Sequence, residues 1–148
     1  MKITFLGTSH GVPAADRYCS CTMLEVNGAH YFIDAGAPLI DLLLRRHVDL
    51  NSVKTIFTTH FHSDHVDGLV SFAGLCSWYF KTTSPRIYVT EQKGMDALAR
   101  IISMSSSRWC ICMYSASPVS TLVTTTQYSP PCASNAASSK TSYCVGMV

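Results

Sequence analysis

The residues from Val53 to Thr58 form a short, β-branched and mostly apolar run, VKTIFT, that lies between two segments of helical spacing. Upstream, Pro38 suits a first helical turn, and the leucines that follow it give an i, i+3, i+4 stripe. Downstream, residues 68–80 are apolar nearly all round, which is typical of a buried helix. A strand between two helices is typical of a parallel sheet covered on both faces. This arrangement predicts an α/β domain.

The chain opens with signals for antiparallel strands. Lys2 to Leu6 alternates in polarity and runs into a Gly-rich loop. Two β-rich runs, Cys21 to Val26 and His30 to Ile33, flank Asn27-Gly28, which is the strongest short signal for a hairpin. The remaining expected elements are a strand over Arg86 to Thr90 and a helix over Glu91 to Met104.

Length and charge narrow the class of protein. The 148 residues are 47% hydrophobic, which suits one domain with a core of its own. A net charge of +2 is too small to indicate nucleic-acid binding from charge alone. No apolar run approaches a membrane span and no secretory leader follows Met1, so we expect a soluble cytoplasmic chain with no membrane association. Seven cysteines, an odd number, favour reduced thiols.

Composition changes near Met104. All nine acidic residues lie at or before Asp96, and all six histidines lie at or before His65. Residues 105–148 are rich in Ser, Thr and Cys and are typical of low-complexity coil, apart from one candidate strand over Val119 to Val123. We therefore expect a folded unit over 1–104 and a poorly packed tail over 105–148. The tail is either native and flexible, or a truncated or frame-shifted end of a longer ancestral sequence.

The chemistry is concentrated in His60-Phe61-His62-Ser63-Asp64-His65-Val66-Asp67-Gly68, directly after the predicted buried strand. In an extended backbone, His60 and His62 point to the same side and can bind one ion. Asp64 and His65, where the chain turns into a helix, can face a second ion. Imidazole and carboxylate without thiolate favour Zn²⁺, with Mn²⁺ or Fe²⁺ as alternatives. This pattern predicts metal-assisted hydrolysis by a metal-bound hydroxide, with Asp64 as the catalytic carboxylate.

This motif resembles the signature of the metallo-β-lactamase-fold hydrolases. Phe5-Leu6-Gly7-Thr8-Ser9 with Gly11-Val12-Pro13, then Phe32-Ile33-Asp34-Ala35-Gly36 and Thr58-Thr59-His60, are similar to the ribonuclease Z-like branch, and the resemblance extends from Met1 to about Ser103. It implies an αβ/βα sandwich of which this chain carries the N-terminal αβ half, and two metal ions, usually zinc. The branch includes endonucleases that trim the 3′ end of precursor tRNA. RNA, or a small phosphodiester or ester, is therefore the expected substrate.

Carried over by position, the resemblance assigns His60 and His62 to the first metal and Asp64 and His65 to the second. Asp34 would support the site from behind; the alternative is an exposed turn residue.

Other polar residues are given lesser roles. Asp67 is expected to complement a helix dipole, and His10 either lines the cleft or is solvated. His30 and His47 are expected to be structural. The two Cys-x-Cys pairs are not expected to bind zinc; they are Cys19 with Cys21 and Cys110 with Cys112.

The chain also departs from the family. A complete member carries a further His for each metal and a bridging Asp, but here no His follows His65 and no Asp follows Asp96. Two protein ligands per ion remain, where zinc normally has three and a water. Without the second αβ half we expect four apolar side chains to be partly uncovered unless the tail or another chain covers them: Leu69, Phe72, Trp78 and Phe80.

Three hypotheses follow, and whether the chain alone is an enzyme stays open. The first is a zinc-dependent, ribonuclease Z-like hydrolase. The second is a non-catalytic metal-binding module that completes its sandwich as a homo-oligomer or with a partner chain. The third is a catalytically inactive fragment.

Overall fold

The computed structural model describes residues 1–12, 14–82, 85–103, 110–113, 125–126 and 143–144. The first six strands are β1 (Lys2–Gly7), β2 (Cys21–Val26), β3 (Ala29–Ile33), β4 (Val53–Phe57), β5 (Arg86–Val89) and β6 (Cys110–Met113). The helices are α1 (Leu39–Arg45), α2 (Ser63–Trp78) and α3 (Gln92–Ser103), with a 3-10 turn over Leu50–Ser52. Two short strands, β7 (Thr125–Thr126) and β8 (Tyr143–Cys144), pair with each other.

Strands β1 to β6 form one sheet in sequence order. Strands β1, β2 and β3 pair antiparallel, whereas β3 to β6 are parallel. The hairpin between β2 and β3 turns at Asn27 and Gly28, whose φ angles are 50° and 77°, as a tight turn with two left-handed residues requires. The predicted α/β class and the antiparallel opening are thus confirmed.

One face of the sheet carries a continuous buried row. Five side chains lie side by side in register on neighbouring strands, all at most 5% exposed: Met23, Phe32, Ile56, Ile87 and Ile111. Leu43 of α1, Phe72 of α2 and Met95 of α3 belong to the same core. The helices therefore cover this face, and their burial against it supplies the main hydrophobic stabilisation.

The opposite face, which we call the outer face, is apolar and open. Its neighbouring positions in register are Phe5, Thr22, Ile33, Phe57 and Tyr88. Phe5 is 69% exposed and Phe57 is 41% exposed, although Phe57 stacks on Tyr88 with ring centroids 5.2 Å apart. The expectation that β4 is covered on both faces is therefore wrong.

The uncovered apolar surface is also not where we expected it on the helices. Leu69 and Phe72 are fully buried, Phe80 is partly buried, and only Trp78 is largely exposed. The reason is geometric: α2 turns its apolar residues toward the sheet and its neighbouring helices, and the exposed apolar side chains of the sheet lie on its far side.

Strand β6 was not predicted. It continues the parallel sheet beside β5, and Ile111 is buried in the core, although it lies in the segment expected to be a tail. The candidate strand over Val119 to Val123 lies outside the described residues, and the boundary near Met104 stays a prediction. In the ranges described, no helix combines the length and apolar character needed to cross a membrane.

Candidate metal centre

The site lies where the ends of two neighbouring parallel strands meet. Asp34 is the first residue after β3, and Thr59 is the second residue after β4. The Asp34 amide donates to the Phe57 carbonyl at 2.8 Å, and the Thr59 amide donates to Oδ1 of Asp34 at 2.8 Å. Because these two loops are bonded to each other, the motif that follows Thr59 begins from a fixed point at this edge of the sheet.

Helix α2 begins within the motif and is anchored at its first turn. The Ala35 amide donates to the His65 carbonyl at 2.8 Å, and the Gly68 amide donates to the Ala35 carbonyl at 2.7 Å. At Gly68 a Cβ atom would overlap the carbonyl oxygens of Ala35 and Ala37. The glycine of the motif is thus needed for the close approach of α2 to the loop after β3.

The four expected ligands lie together in two pairs. Nε2 of His60 is 3.2 Å from Nδ1 of His62, and Nε2 of His65 is 3.2 Å from Oδ2 of Asp64. The rings of His60 and His65 connect the pairs, with centroids 4.0 Å apart. These two polar contacts join the residues that the sequence assigns to the same ion, and the assignment itself stays a prediction.

The geometry of each pair fits two ligands of one metal ion. Two nitrogen or oxygen donors on a tetrahedral zinc ion, each about 2.0–2.1 Å from the metal, lie about 3.3 Å apart. Both observed separations are close to that value. Among the residues that the structure describes, however, no three or more His, Cys, Asp or Glu side chains form a group that could hold an ion. The two donors of each pair thus have a spacing compatible with zinc, but the described residues give neither pair a third protein ligand.

Asp34 holds the site from behind. It is 3% exposed, and its carboxylate accepts hydrogen bonds from the Ser20 hydroxyl at 3.2 Å and the Thr59 hydroxyl at 2.9 Å. Its Oδ2 also lies 2.7 Å from Nδ1 of His65. A buried carboxylate with this many partners is not an exposed turn residue, so that alternative is wrong.

The contact between Asp34 and His65 determines which nitrogen of the His65 ring carries the proton and which is a bare acceptor. A carboxylate only accepts, so Nδ1 of His65 carries the proton in this contact. In the neutral ring Nε2 is then a bare acceptor, and it faces a second acceptor, Oδ2 of Asp64. Two acceptors at this distance repel each other, and either a metal ion between them or a proton on Nε2 removes the repulsion, so the contact is compatible with a metal ion.

Cys21 lies next to this network but is no metal ligand in its present form. Burial and, to a smaller extent, the negative charge of Asp34 raise the pKa of its thiol to about 12, while Arg46 opposes both effects. Burial also raises the pKa of Cys76. The cysteines in the described part of the chain, Cys19, Cys21 and Cys76, are free thiols. The side chains of Cys110 and Cys112 lie outside the description.

The other polar residues considered from the sequence have contacts of their own in the structure. Asp64, not Asp67, is the acidic residue in the first turn of α2, because the helix begins at Ser63; Asp67 lines a shallow cleft between α1 and α2. His10 is exposed, and its Nδ1 accepts from the Val12 amide at 3.2 Å. His30 contacts the Ser52 hydroxyl at 2.7 Å, as a structural histidine would.

Two residues of the network were missed by sequence reasoning, Ser20 and Thr59. Both act on Asp34 across a long separation in sequence. The one local signal was the position of Thr59 between the end of a buried strand and the first histidine of the motif.

Comparison with known proteins places this chain in a family. The family model for the anti-Pycsar protein Apyc1 matches residues 1–100. Ribonuclease Z of Thermosynechococcus vestitus is 33% identical over 113 residues, covering 75% of this chain and 26% of that protein. The resemblance therefore continues past Ser103, farther than expected. This chain spans about a quarter of the length of the curated relatives it matches.

Two solved structures share the fold. Human tRNase Z, short form, superposes with a TM-score of 0.65 at 24% identity, covering 79% of this chain and 46% of that one. The metallo-β-lactamase fold protein YhfI from Bacillus subtilis gives a TM-score of 0.62 at 16% identity, covering 76% of this chain and 45% of that one. The expected metallo-β-lactamase fold and ribonuclease Z-like resemblance are thus confirmed, and the chain belongs to the family of the anti-Pycsar protein Apyc1.

Proposed function

We propose that this chain provides the N-terminal half of the active site of a zinc-dependent, ribonuclease Z-like hydrolase that cleaves phosphodiester bonds. The observation that carries the proposal is the pair of two-ligand sets, His60 with His62 and Asp64 with His65, each at the spacing of two donors on one tetrahedral ion. Manganese and iron are the alternative metals for the same donors. RNA is the expected substrate class, and a small phosphodiester or ester is the alternative.

The residues of the chain have separate roles in this proposal. A bound metal ion supplies Lewis acidity toward the phosphoryl oxygen and lowers the pKa of water. His60 and His62 hold one ion, and Asp64 and His65 hold the other. Asp34 holds Nδ1 of His65, which leaves Nε2 free to bind. Asp64, in the first turn of α2 and in contact with His65, is the carboxylate to which this proposal assigns the catalytic role.

Each ion needs at least one more protein ligand. The sequence has no His after His65 and no Asp after Asp96 that could provide one. We propose that a second αβ layer pair, in cis or as a partner chain, packs on the outer face and supplies them. The exposed Phe5, Ile33 and Phe57 on this face support the proposal.

The test is reconstitution. The 148-residue chain is expected to bind zinc weakly and to hydrolyse bis(p-nitrophenyl) phosphate and precursor tRNA poorly or not at all. Addition of a ribonuclease Z C-terminal half that carries the missing His and Asp should restore zinc-dependent hydrolysis. His62→Ala or Asp64→Ala should then abolish it. His47→Asn is the matched control, since it removes a histidine remote from the motif and keeps a residue type that tolerates its positive φ of 54°.

Two results would count against the proposal. Hydrolysis by the chain alone, at ordinary enzymatic rates and dependent on zinc, would show that the missing ligands are not needed. A reconstituted mixture that binds no zinc and has no activity would contradict the metal-dependent function itself. Partner packing on the outer face has its own test, because Phe57→Asp should weaken association with the added half and leave the metal motif intact.

The match over residues 1–100 supports a second candidate, an anti-Pycsar activity. It is separated from the first by measuring whether the chain counteracts Pycsar in cells, with Asp64→Ala as the variant that tests dependence on the metal site. A chain that counteracts Pycsar but does not process precursor tRNA in the reconstituted assay would favour this second candidate.

A further inference from the structure

We propose that Thr59 is a positioning residue that sets the tautomer of His60 and so aims the bare Nε2 of that ring at the metal. The inference rests on the proposed metal function, in which His60 binds through Nε2. It concerns a residue outside the ligand set, and the contacts of its hydroxyl carry it.

Thr59 is held at two points that do not involve the histidines, and the residue before it is held at a third. Its amide donates to Oδ1 of Asp34 at 2.8 Å, and its carbonyl accepts from the Thr90 hydroxyl at 3.3 Å. The preceding residue, Thr58, is fixed because its amide donates to the Tyr88 carbonyl at 2.9 Å. The position of the Thr59 hydroxyl is thus set by β3 and β5, on either side of β4.

The number of protons on each group then fixes the direction of each hydrogen bond that the Thr59 hydroxyl makes. A threonine hydroxyl has one proton to donate and two lone pairs to accept with. The carboxylate of Asp34 only accepts, and its oxygens lie 2.9 and 3.0 Å from Oγ1 of Thr59. The hydroxyl proton therefore goes to Asp34, and Oγ1 presents lone pairs to its other neighbours.

Nδ1 of His65 lies 3.3 Å from Oγ1 of Thr59 but closer, at 2.7 Å, to Oδ2 of Asp34; the other ring nitrogen at this hydroxyl is Nδ1 of His60, 3.1 Å away. Facing an acceptor, this nitrogen carries the ring proton, and Nε2 of His60 is left bare. Nε2 is the atom that lies 3.2 Å from His62, on the side of the ligand pair. Thr59 thereby transmits the orienting effect of Asp34 to a ring that Asp34 does not contact.

One buried carboxylate consequently orients one histidine in each ligand pair. It acts on His65 directly at 2.7 Å and on His60 through the Thr59 hydroxyl. Outer hydrogen-bond partners of this kind typically change metal affinity by about 10–100-fold when removed. Replacing Thr59 should therefore disturb the orientation of His60 most, because His65, although 3.3 Å from the Thr59 hydroxyl, keeps its direct contact with Asp34.

The experiment reads the tautomer by NMR in the zinc-free chain. Histidines labelled with ¹⁵N report, through nitrogen shifts and couplings to the ring protons, which nitrogen carries the proton; a His60→Gln spectrum assigns the ring. At about pH 8.5, above the ordinary imidazole pKa, wild-type His60 should be protonated at Nδ1. Thr59→Val, which keeps the branched shape, should give a mixture or the Nε2-protonated form, and Thr59→Ser should restore the wild-type spectrum.

Zinc affinity gives the second measurement, by competition with a chelating dye. Thr59→Val should weaken binding by about 10–100-fold, and Thr59→Ser should bind as the wild type does. Thr59 is an exposed residue, so both variants are expected to fold.

The wild-type spectrum alone can overturn the inference, because a His60 ring protonated at Nε2 contradicts it without any variant. A Thr59→Val spectrum identical to the wild type would do the same. The expected tautomers, together with a reconstituted mixture that binds no zinc, would leave the tautomer assignment standing and would contradict the proposed function instead.

Discussion

The backbone of Gly36 packs directly against the backbone of Asp64, so closely that a Cβ atom on residue 36 would overlap the Asp64 carbonyl oxygen. The loop after β3 thereby fixes the first turn of α2, in which Asp64 and His65 lie. Gly11 approaches the same aspartate from another side, but a Cβ atom there would be 3.7 Å from its carboxylate. Gly36 therefore leaves no room for a side chain beside Asp64, whereas Gly11 does.

Gly36→Ala is therefore expected to destabilise the fold. The added methyl group would overlap backbone atoms of Asp64, which cannot move aside as a flexible side chain can. Overpacking of this kind costs about 1–3 kcal/mol or more in the free energy of unfolding. Gly11→Ala is the matched control and should change stability by less than about 0.5 kcal/mol. Urea denaturation of both variants measures the difference, and equal stability of the two would contradict the close packing of Gly36.

Asp34→Asn should separate the hydrogen-bonding role of this side chain from its backbone conformation. Asp34 has a positive φ of 60°, which asparagine tolerates. The amide, however, cannot accept from His65, Thr59 and Ser20 together, because one side of it has become a donor. Zinc affinity should fall by about 10–100-fold with the secondary structure retained. Unchanged zinc binding, with circular dichroism as the control for folding, would show that Asp34 does not orient the ligands.

The sequence was sufficient to predict those features that depend on residues close together in the chain. The turn at Asn27 and Gly28, the apolar spacing of α3 and the order of residues in the metal motif all depend on neighbours a few positions apart. Strand β6 was missed because its four residues, CICM, follow a Ser-rich stretch and become a strand only by pairing with β5. The partners of Asp34 were missed for the same reason, since Ser20 and Thr59 come together only in the folded sheet.

Stability at alkaline pH should depend on Cys21. Its folded-state pKa is about 12, above the ordinary value of 9.0, so the unfolded thiol ionises first. Its contribution to stability is complete below about pH 9 and is lost as pH rises toward 12, at a slope of about 1.4 kcal/mol per pH unit. Unfolding free energies measured across this range should fall less steeply for Cys21→Ala than for the wild type. Cys19→Ala, which keeps Cys21, should retain the wild-type slope; parallel curves for all three would contradict the assignment.

The last prediction concerns where the folded unit ends, and it follows from Ile111. This side chain is 2% exposed and lies beside Ile87 in the buried row of the sheet. A chain ending at residue 113 should therefore be more stable than one ending at 104, by at least the roughly 1.5–3 kcal/mol of burying one isoleucine. Urea denaturation of the two truncated chains gives the difference directly, and limited proteolysis of the full chain should cut first beyond Met113. If both truncated chains are equally stable, or the first cut falls near Met104, then β6 adds nothing and the boundary expected from composition is the physical one.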